Sequence, residues 1–290
     1  MFIGVDHGTT GIRFASPEGE FRISREEARG FDAGGLVRLC PLDRIRLVAV
    51  TYSMGDNFSE ILPIGAVTNR GLVSREGAGK HIGGGTRVFD AIAASGLPAI
   101  VIPGLHRASP TDPRFRVYSH QASPEKVGIA YEVHQVLGDD FVVADVSSNT
   151  VTVLVSRGRI TGAIDACIFA PGLLQGALDV DAIRKVDRGE CTANDAFQHA
   201  GVEYHLPEGE RIAALALFAA MEIAALRVLA PGAKAALAGT LGPQVAPDVK
   251  RLLGEDVTVF DEWCASRGLW KIARDVASGS EDILGIRVRV

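Results

Sequence analysis

Two segments in opposite halves of this chain carry the same unusual pattern, an apolar strand that delivers an acid into a tight polar turn. In the first, residues 2–5 are apolar and lead into Asp6, followed by Gly8, Thr9, Thr10 and Gly11. In the second, residues 141–155 read FVVADVSSNTVTVLV, so a strand reaches Asp145 and a turn of Ser147, Ser148, Asn149 and Thr150 leads into an alternating strand. Either segment alone reads equally as an ordinary hairpin. The other reading is a phosphate turn, in which Gly8 and Gly11 let the backbone approach a ligand and the hydroxyls of Thr9 and Thr10 add donors. A carboxylate beside such a turn suits a hydrated Mg2+ that accompanies a nucleotide. A later apolar strand, residues 235–242 (AALAGTLG), is broken by Gly239, Thr240 and Gly242 and adds a third turn.

At 290 residues the chain is long for one core and suits two domains with a cleft between them, the usual place for a ligand. A content of 47% hydrophobic and 22% charged residues with a net charge of -5 fits a soluble globular protein and argues against a basic nucleic-acid surface. Cys40, Cys167, Cys191 and Cys264 are far apart and lack metal-ligand spacing, which fits reduced thiols in a cytoplasmic protein. The apolar helical stretch 212–230 contains Glu222 and Arg227 and reads as a core helix rather than a membrane span, and Asp6 and His7 interrupt any N-terminal leader pattern.

Along the chain, Ser24 and Glu27 have capping-box spacing before a short helix. Strands are expected at 46–51, 99–102 and 257–260, and helices at 88–94, 123–137, 181–185, 193–200 and 266–276. Residues 52–120 are largely irregular and Gly-rich, and are expected to roof a cleft. Gly84, Gly85 and Thr86, after Gly83, suit either a phosphate nest or a hinge.

The paired acid hairpins and the late Gly turn resemble the sugar kinase, heat-shock ATPase and actin superfamily. That resemblance implies two ribonuclease-H-like α/β domains, with mixed sheets flanked by helices, around a nucleotide cleft; the boundaries are placed at 1–138 and 139–290, with an irregular insert at 52–120. Within the superfamily, the best local match is to acetate and butyrate kinases. Asp6 to Arg13 resembles their opening phosphate turn, with Arg13 at the place of a phosphate-facing lysine. Asn69-Arg70-Gly71-Leu72 followed by Gly84-Gly85-Thr86 resembles their Gly-Arg-Gly-Gly-Leu and Gly-Gly-Thr segments. Tyr118-Ser119-His120-Gln121-Ala122 resembles the segment whose histidine steadies the transferring phosphoryl group. The second hairpin departs from those kinases: it has no glycine, and Asp145 stands where they have a histidine. A narrower resemblance, in residues 6–15 (DHGTTGIRFA), 52–56 (YSMGD), 101–109, 145–150 and 163–167, is to the methanogen family called methanogenesis marker 12.

These resemblances imply an ATP-binding phosphotransferase with Mg2+ as cofactor and a small carboxylate or hydroxyl compound as acceptor. Asp6, Arg70, His120 and Asp145 are the expected catalytic residues, and Asp6 and Asp145 would hold the metal through water. Nucleotide contacts are expected from Gly8, Thr9, Thr10, Arg13, Gly84, Gly85, Thr86, Ser147, Ser148, Asn149, Gly239, Thr240 and Gly242. Asp56 and Asp165 are alternatives for the orienting acid. The competing expectation is a nucleotide-gated regulatory or assembly ATPase that acts on a protein partner. A homodimer is compatible with either, whereas nucleic-acid and membrane partners are not expected.

Overall fold

In the computed structural model, residues 1–52, 55–72 and 84–290 are described. Gly83 and two residues of the 52–56 motif, Ser53 and Met54, lie outside them. The opening apolar strand, β1 (Phe2–His7), lies at the middle of a sheet and is buried along nearly its whole length. From it the chain turns back twice through β2 (Gly11–Ser16) and β3 (Gly19–Ser24), both antiparallel to their predecessors. After a crossover, β4 (Leu47–Val50) joins the other side of β1 in parallel. The edge strand β5 (Leu62–Pro63), helix α1 (Gly85–Ala94) and β6 (Ala99–Val101) complete a sheet of order β3-β2-β1-β4-β6-β5.

A short ribbon of β7 (Leu105–His106) and β8 (His120–Ala122) precedes helix α2 (Glu125–Leu137), which enters the second half. There β9 (Phe141–Val146), β10 (Thr150–Ser156) and β11 (Arg159–Ile164) form a second antiparallel meander. Three short helices, α3 (Val180–Asp187), α4 (Ala193–Gln198) and α5 (Val202–His205), lead to the long α6 (Glu208–Leu226). Strand β12 (Lys234–Ala238) then pairs in parallel with β9, and α7 (Gly242–Leu253) and β13 (Thr258–Val259) follow. The second sheet runs β11-β10-β9-β12-β13, the order of the first sheet without its edge strand β5. The duplication that two hairpins suggest therefore extends to whole sheets. In both halves the acid sits on the central strand, beside the first parallel neighbour.

Helix α8 (Cys264–Ala277) closes the chain with the small hairpin β14 (Asp282–Ile283) and β15 (Ile286–Arg287). It does not stay with the second sheet alone. It packs on β1 and β4 of the first sheet, while α2 packs on β9 of the second, and the two helices cross each other between the sheets. Eight successive residues of α2, from Lys126 to Val133, are buried, as befits a helix enclosed on all sides. The central core joins Ile100 and Ile102 of the first half with Phe141 and Val153 of the second through Val127, Leu269 and Ile272. Separate apolar layers cover the outer faces, Phe14, Phe31 and Ile92 on one side and Leu215, Ile223 and Val245 on the other.

Several local expectations change in form. The Ser24–Glu27 pair makes both capping hydrogen bonds, but the helix it starts is a single 3₁₀ turn, Glu27–Gly30. Helix α7 was not expected, because Pro243 and Pro247 lie within it. None of the described residues between 52 and 120 lines the cleft between the hairpins. Ile64, Leu72, Val88 and Phe89 instead join the outer core of the first sheet, because their apolar side chains gain more from burial there.

The core of the second half contains one ionisable group with no exposed surface, Glu222 on α6. Thr152 Oγ1 donates to its Oε2 at 2.5 Å and the Ala170 amide to its Oε1 at 3.1 Å. Burial dominates and raises its pKa from 4.5 to about 8. A raised pKa contributes stability that is fully present below 4.5 and is lost as pH rises through 8. The protein is thus expected to lose on the order of 5 kcal/mol of stability across that window. Glu222→Gln should flatten the loss, which chemical denaturation at pH 5, 7 and 9 measures directly.

Candidate active site

The two duplicated hairpins bring their acids to opposite walls of one cleft. Asp6, Gly8, Thr9, Thr10 and Arg13 line it from the first half, and Asp145, Ser147, Ser148, Asn149, Gly239 and Thr240 from the second. The strand register explains the first wall: Asp6 on β1 lies opposite Arg13 on β2, and Arg13 Nη1 stands 3.5 Å from Asp6 Oδ2. Arg13 also reaches Glu262 at 3.3 Å. Asp6 Oδ1 is buried and has no hydrogen-bond partner among the described residues. Burial dominates and lifts the Asp6 pKa from 3.8 to about 6, with Arg13 opposing the rise. An unpaired buried carboxylate oxygen is costly unless something binds it.

Asp145 differs. Its Oδ2 accepts from Lys126 Nζ at 2.6 Å and its Oδ1 from Ser147 Oγ at 2.9 Å. Ser147 Oγ in turn accepts the Thr240 amide at 3.3 Å, which ties the second hairpin to the late Gly turn. Gly239 has φ +87°, and a Cβ there would come within 2.5 Å of Ser147 Oγ and closer still to Asp145 Oδ1. Gly239 therefore lets the two turns touch. Gly242 opens α7 and has ordinary space around it.

The second turn works without a glycine of its own. Its residues all have negative φ. The loop at residues 171–175 supports it from below: the amides of Leu173, Leu174 and Gln175 donate to the carbonyls of Ser147 and Ser148, and Thr150 Oγ1 donates to the Pro171 carbonyl. In a trans peptide the N–H points opposite to the C=O. With those two carbonyls held by the loop, the amides of Ser148 and Asn149 point away from it. A Cβ on Gly172 would sit 2.6 Å from Asn149 N and closer to its Cα. The glycine that permits close packing has moved from the turn into the loop beneath.

Five other expected residues lie elsewhere. Arg70 makes a bidentate pair with Asp90 of α1, at 2.8 and 2.7 Å. Thr86 Oγ1 shares a 2.7 Å hydrogen bond with Tyr52 OH, and the Gly85 carbonyl meets His7 Nε2 at 3.2 Å. Burial depresses the His7 pKa to about 3, with the charge of Arg25 reinforcing it, so this ring is neutral at neutral pH. Gly84 has φ +92°, and a Cβ there would collide with the Arg25 carbonyl, so residues 84–86 pack against the first hairpin from behind. His120 also does not line the cleft; its Nε2 lies 3.2 Å from Asp165 Oδ2. Burial alone would depress its pKa, but the Asp165 hydrogen bond and charge prevail and raise it. It feels the charge of Glu125, which does line the cleft.

Sequence reading missed Lys126 and its neighbour Glu125, as well as Asp261 and Glu262, all of which line the cleft. An acid and a lysine at the start of a helix read as solvated surface, and only the crossing of α2 between the sheets buries them. No cluster of three or more metal-ligating side chains exists among the described residues, so a cation here would be held largely through water and ligand oxygens. The four cysteines are all free, and among the described residues no helix is long and apolar enough to cross a membrane.

No family model matches the chain. A UPF0285 protein of Methanosarcina mazei is 48% identical, covering 99% of this chain and 98% of that protein. The chain belongs to the UPF0285 family. A second UPF0285 protein, from Methanothermobacter thermautotrophicus, is 41% identical over 100% of this chain and 99% of its own length. Among solved structures, a propionate kinase from Francisella tularensis aligns with a TM-score of 0.54 at 12% identity, covering 92% of this chain and 91% of that one. An inorganic polyphosphate/ATP-glucomannokinase from Arthrobacter gives 0.52 at 14% identity, with coverage of 95% and 98%. Acetate kinase from Porphyromonas gingivalis gives 0.51 at 11%, with coverage of 92% and 90%. At these identities the likeness concerns the fold alone: this UPF0285 chain has the actin-like, ribonuclease-H-like architecture of those kinases.

Proposed function

We propose that this UPF0285 protein is an ATP-dependent phosphotransferase that binds the nucleotide phosphates between the Asp6 and Asp145 hairpins and transfers the terminal phosphoryl group to a small carboxylate or hydroxyl compound. The observation that carries this reading is the convergence of two topologically equivalent acid hairpins on one cleft, with Asp6 Oδ1 left without a partner among the described residues. The donor set suits the group: buried carboxylate on one wall, Arg13 and Lys126 as cations, and outward amides at Ser148 and Asn149. Mg2+, when bound, supplies charge neutralisation on the phosphate oxygens. Asp6 would hold its water shell, Arg13 would balance phosphate charge, and the Gly239 turn would admit the nucleotide close to the second hairpin. His120, held by Asp165 outside the cleft lining, would act on the moving phosphoryl group through its charge, which Glu125 of the cleft feels. Occurrence in Methanosarcina and Methanothermobacter supports the methanogenesis marker 12 assignment, and a cytoplasmic setting is part of the same proposal.

One observation favours the second reading, a nucleotide-gated ATPase that acts on a protein partner: Arg70, expected to steady the transferring group, is engaged by Asp90 away from the cleft. A single assay separates the two. Incubation with ATP, Mg2+, hydroxylamine and a panel of short carboxylic acids should yield an acyl hydroxamate, and a matched panel of small alcohols should yield a phosphate ester. Phosphate release without product from any acceptor would favour the ATPase.

A further inference from the structure

The cleft has an excess of acid. Among the described residues, Asp6, Glu125, Asp145, Asp261 and Glu262 line it against two cations, Arg13 and Lys126. Lys126 is 4% exposed, and its ammonium is held 2.6 Å from Asp145 Oδ2 and 3.0 Å from Glu125 Oε1. Two carboxylate oxygens from different elements converging on one point is an arrangement that a hard divalent cation would also favour. With Ser147 on its other oxygen, Asp145 has both oxygens engaged, whereas Asp6 Oδ1 has no hydrogen-bond partner among the described residues. The two acids of the duplicated hairpins, equivalent by topology, are thus unlike in charge balance.

We propose that the Lys126 ammonium is a tethered substitute for a divalent cation on the Asp145 wall, so that the cleft takes up one exchangeable metal ion, at Asp6, and presents one built-in cation to the phosphates. An ammonium has three N–H donors, and two are used by Asp145 and Glu125, which leaves one for a phosphate oxygen. The inference deepens the nucleotide reading and rests on it for the phosphate contact. The cation count is testable without nucleotide.

The test is Mn2+ binding to the nucleotide-free protein, followed by calorimetry and by electron paramagnetic resonance of the free ion. Lys126→Met should gain a Mn2+ site at least 10-fold tighter than any in the parent, made from Asp145 and Glu125, and its melting temperature should rise with Mn2+. The double variant Lys126→Met/Asp145→Asn should lose that gain. Asp145→Asn alone should leave the parent's Mn2+ binding within 2-fold, because the ammonium already occupies that carboxylate. No gain in Lys126→Met would overturn the proposal. So would a 10-fold loss in Asp145→Asn, which would mean that Asp145 already holds metal, and this second arm stands even if Lys126→Met does not fold. A parallel ATP titration of the parent keeps the two readings apart: absence of ATP binding removes the nucleotide reading, while the Mn2+ results still decide the cation count.

Discussion

Asp6→Asn is expected to lower phosphoryl-transfer turnover by about 100-fold or more, the scale of losing one preorganised electrostatic group, while making the ligand-free protein more stable at neutral pH. The two effects have one cause. Burial raises the Asp6 pKa to about 6, so the native state holds its proton more tightly than the unfolded chain, and stability present below 3.8 is lost as pH rises through 6. That loss is on the order of 3 kcal/mol. An amide at this position carries no charge to desolvate, and Arg13 keeps Glu262 as a partner. Denaturation curves at pH 4 and pH 8 should therefore diverge less for the variant than for the parent. A variant both inactive and destabilised at pH 8 would mean that Asp6 serves the fold, through Arg13, rather than a ligand.

Gly268→Ala should be among the most damaging single-methyl changes in the chain. In an exposed helix the same substitution would stabilise by about 1 kcal/mol. Here α8 crosses α2 at a pair of glycines: a Cβ on Gly268 would collide with the Gly128 carbonyl, and one on Gly128 would lie 2.7 Å from the Ala265 carbonyl. On its other side α8 rests on β1 at Gly4, where a Cβ would lie 2.6 Å from the Trp270 amide. The strand that carries Asp6 and the helix that carries Lys126 are thus positioned by backbone-to-backbone contact through α8. Backbone cannot rotate away as a side chain does, so overpacking should cost about 3 kcal/mol or more. Urea denaturation gives the sign at once. Stabilisation would show that the two helices have room to separate, and that the cleft is not fixed by their crossing.

Much of the fold was legible because burial wrote it into the sequence. Strands β1 and β9 are apolar runs in which Asp6 and Asp145 fall one residue before the end, and β10 alternates. The helices expected at 123–137 and 266–276 match α2 and α8 to within two residues at each end. Helix α7 was hidden because two prolines obscure its pattern, although Pro243 falls in the first turn, where the missing N–H costs little. The edge strand β5 is only two residues long and carries no periodicity, whereas β13 falls inside the strand expected at 257–260. Most cleft residues were found through the hairpins. Lys126 was not, because a charged residue at a helix start is buried only by the approach of the other half of the chain. Likewise the glycine supporting the second turn was sought within residues 146–150, and the structure supplies it from Gly172, over twenty residues later. Long-range substitution of this kind leaves no local signal.

Isothermal titration of the parent protein with ATP, with and without Mg2+, tests the central claim most directly. Binding should be stoichiometric at one nucleotide per chain, with a dissociation constant in the micromolar to low millimolar range, about -4 to -8 kcal/mol. It should tighten with Mg2+, and the Mg2+-dependent part should vanish in Asp6→Asn. No heat and no thermal shift at millimolar ATP, or binding that Asp6→Asn leaves untouched, would contradict a nucleotide cleft between the two hairpins.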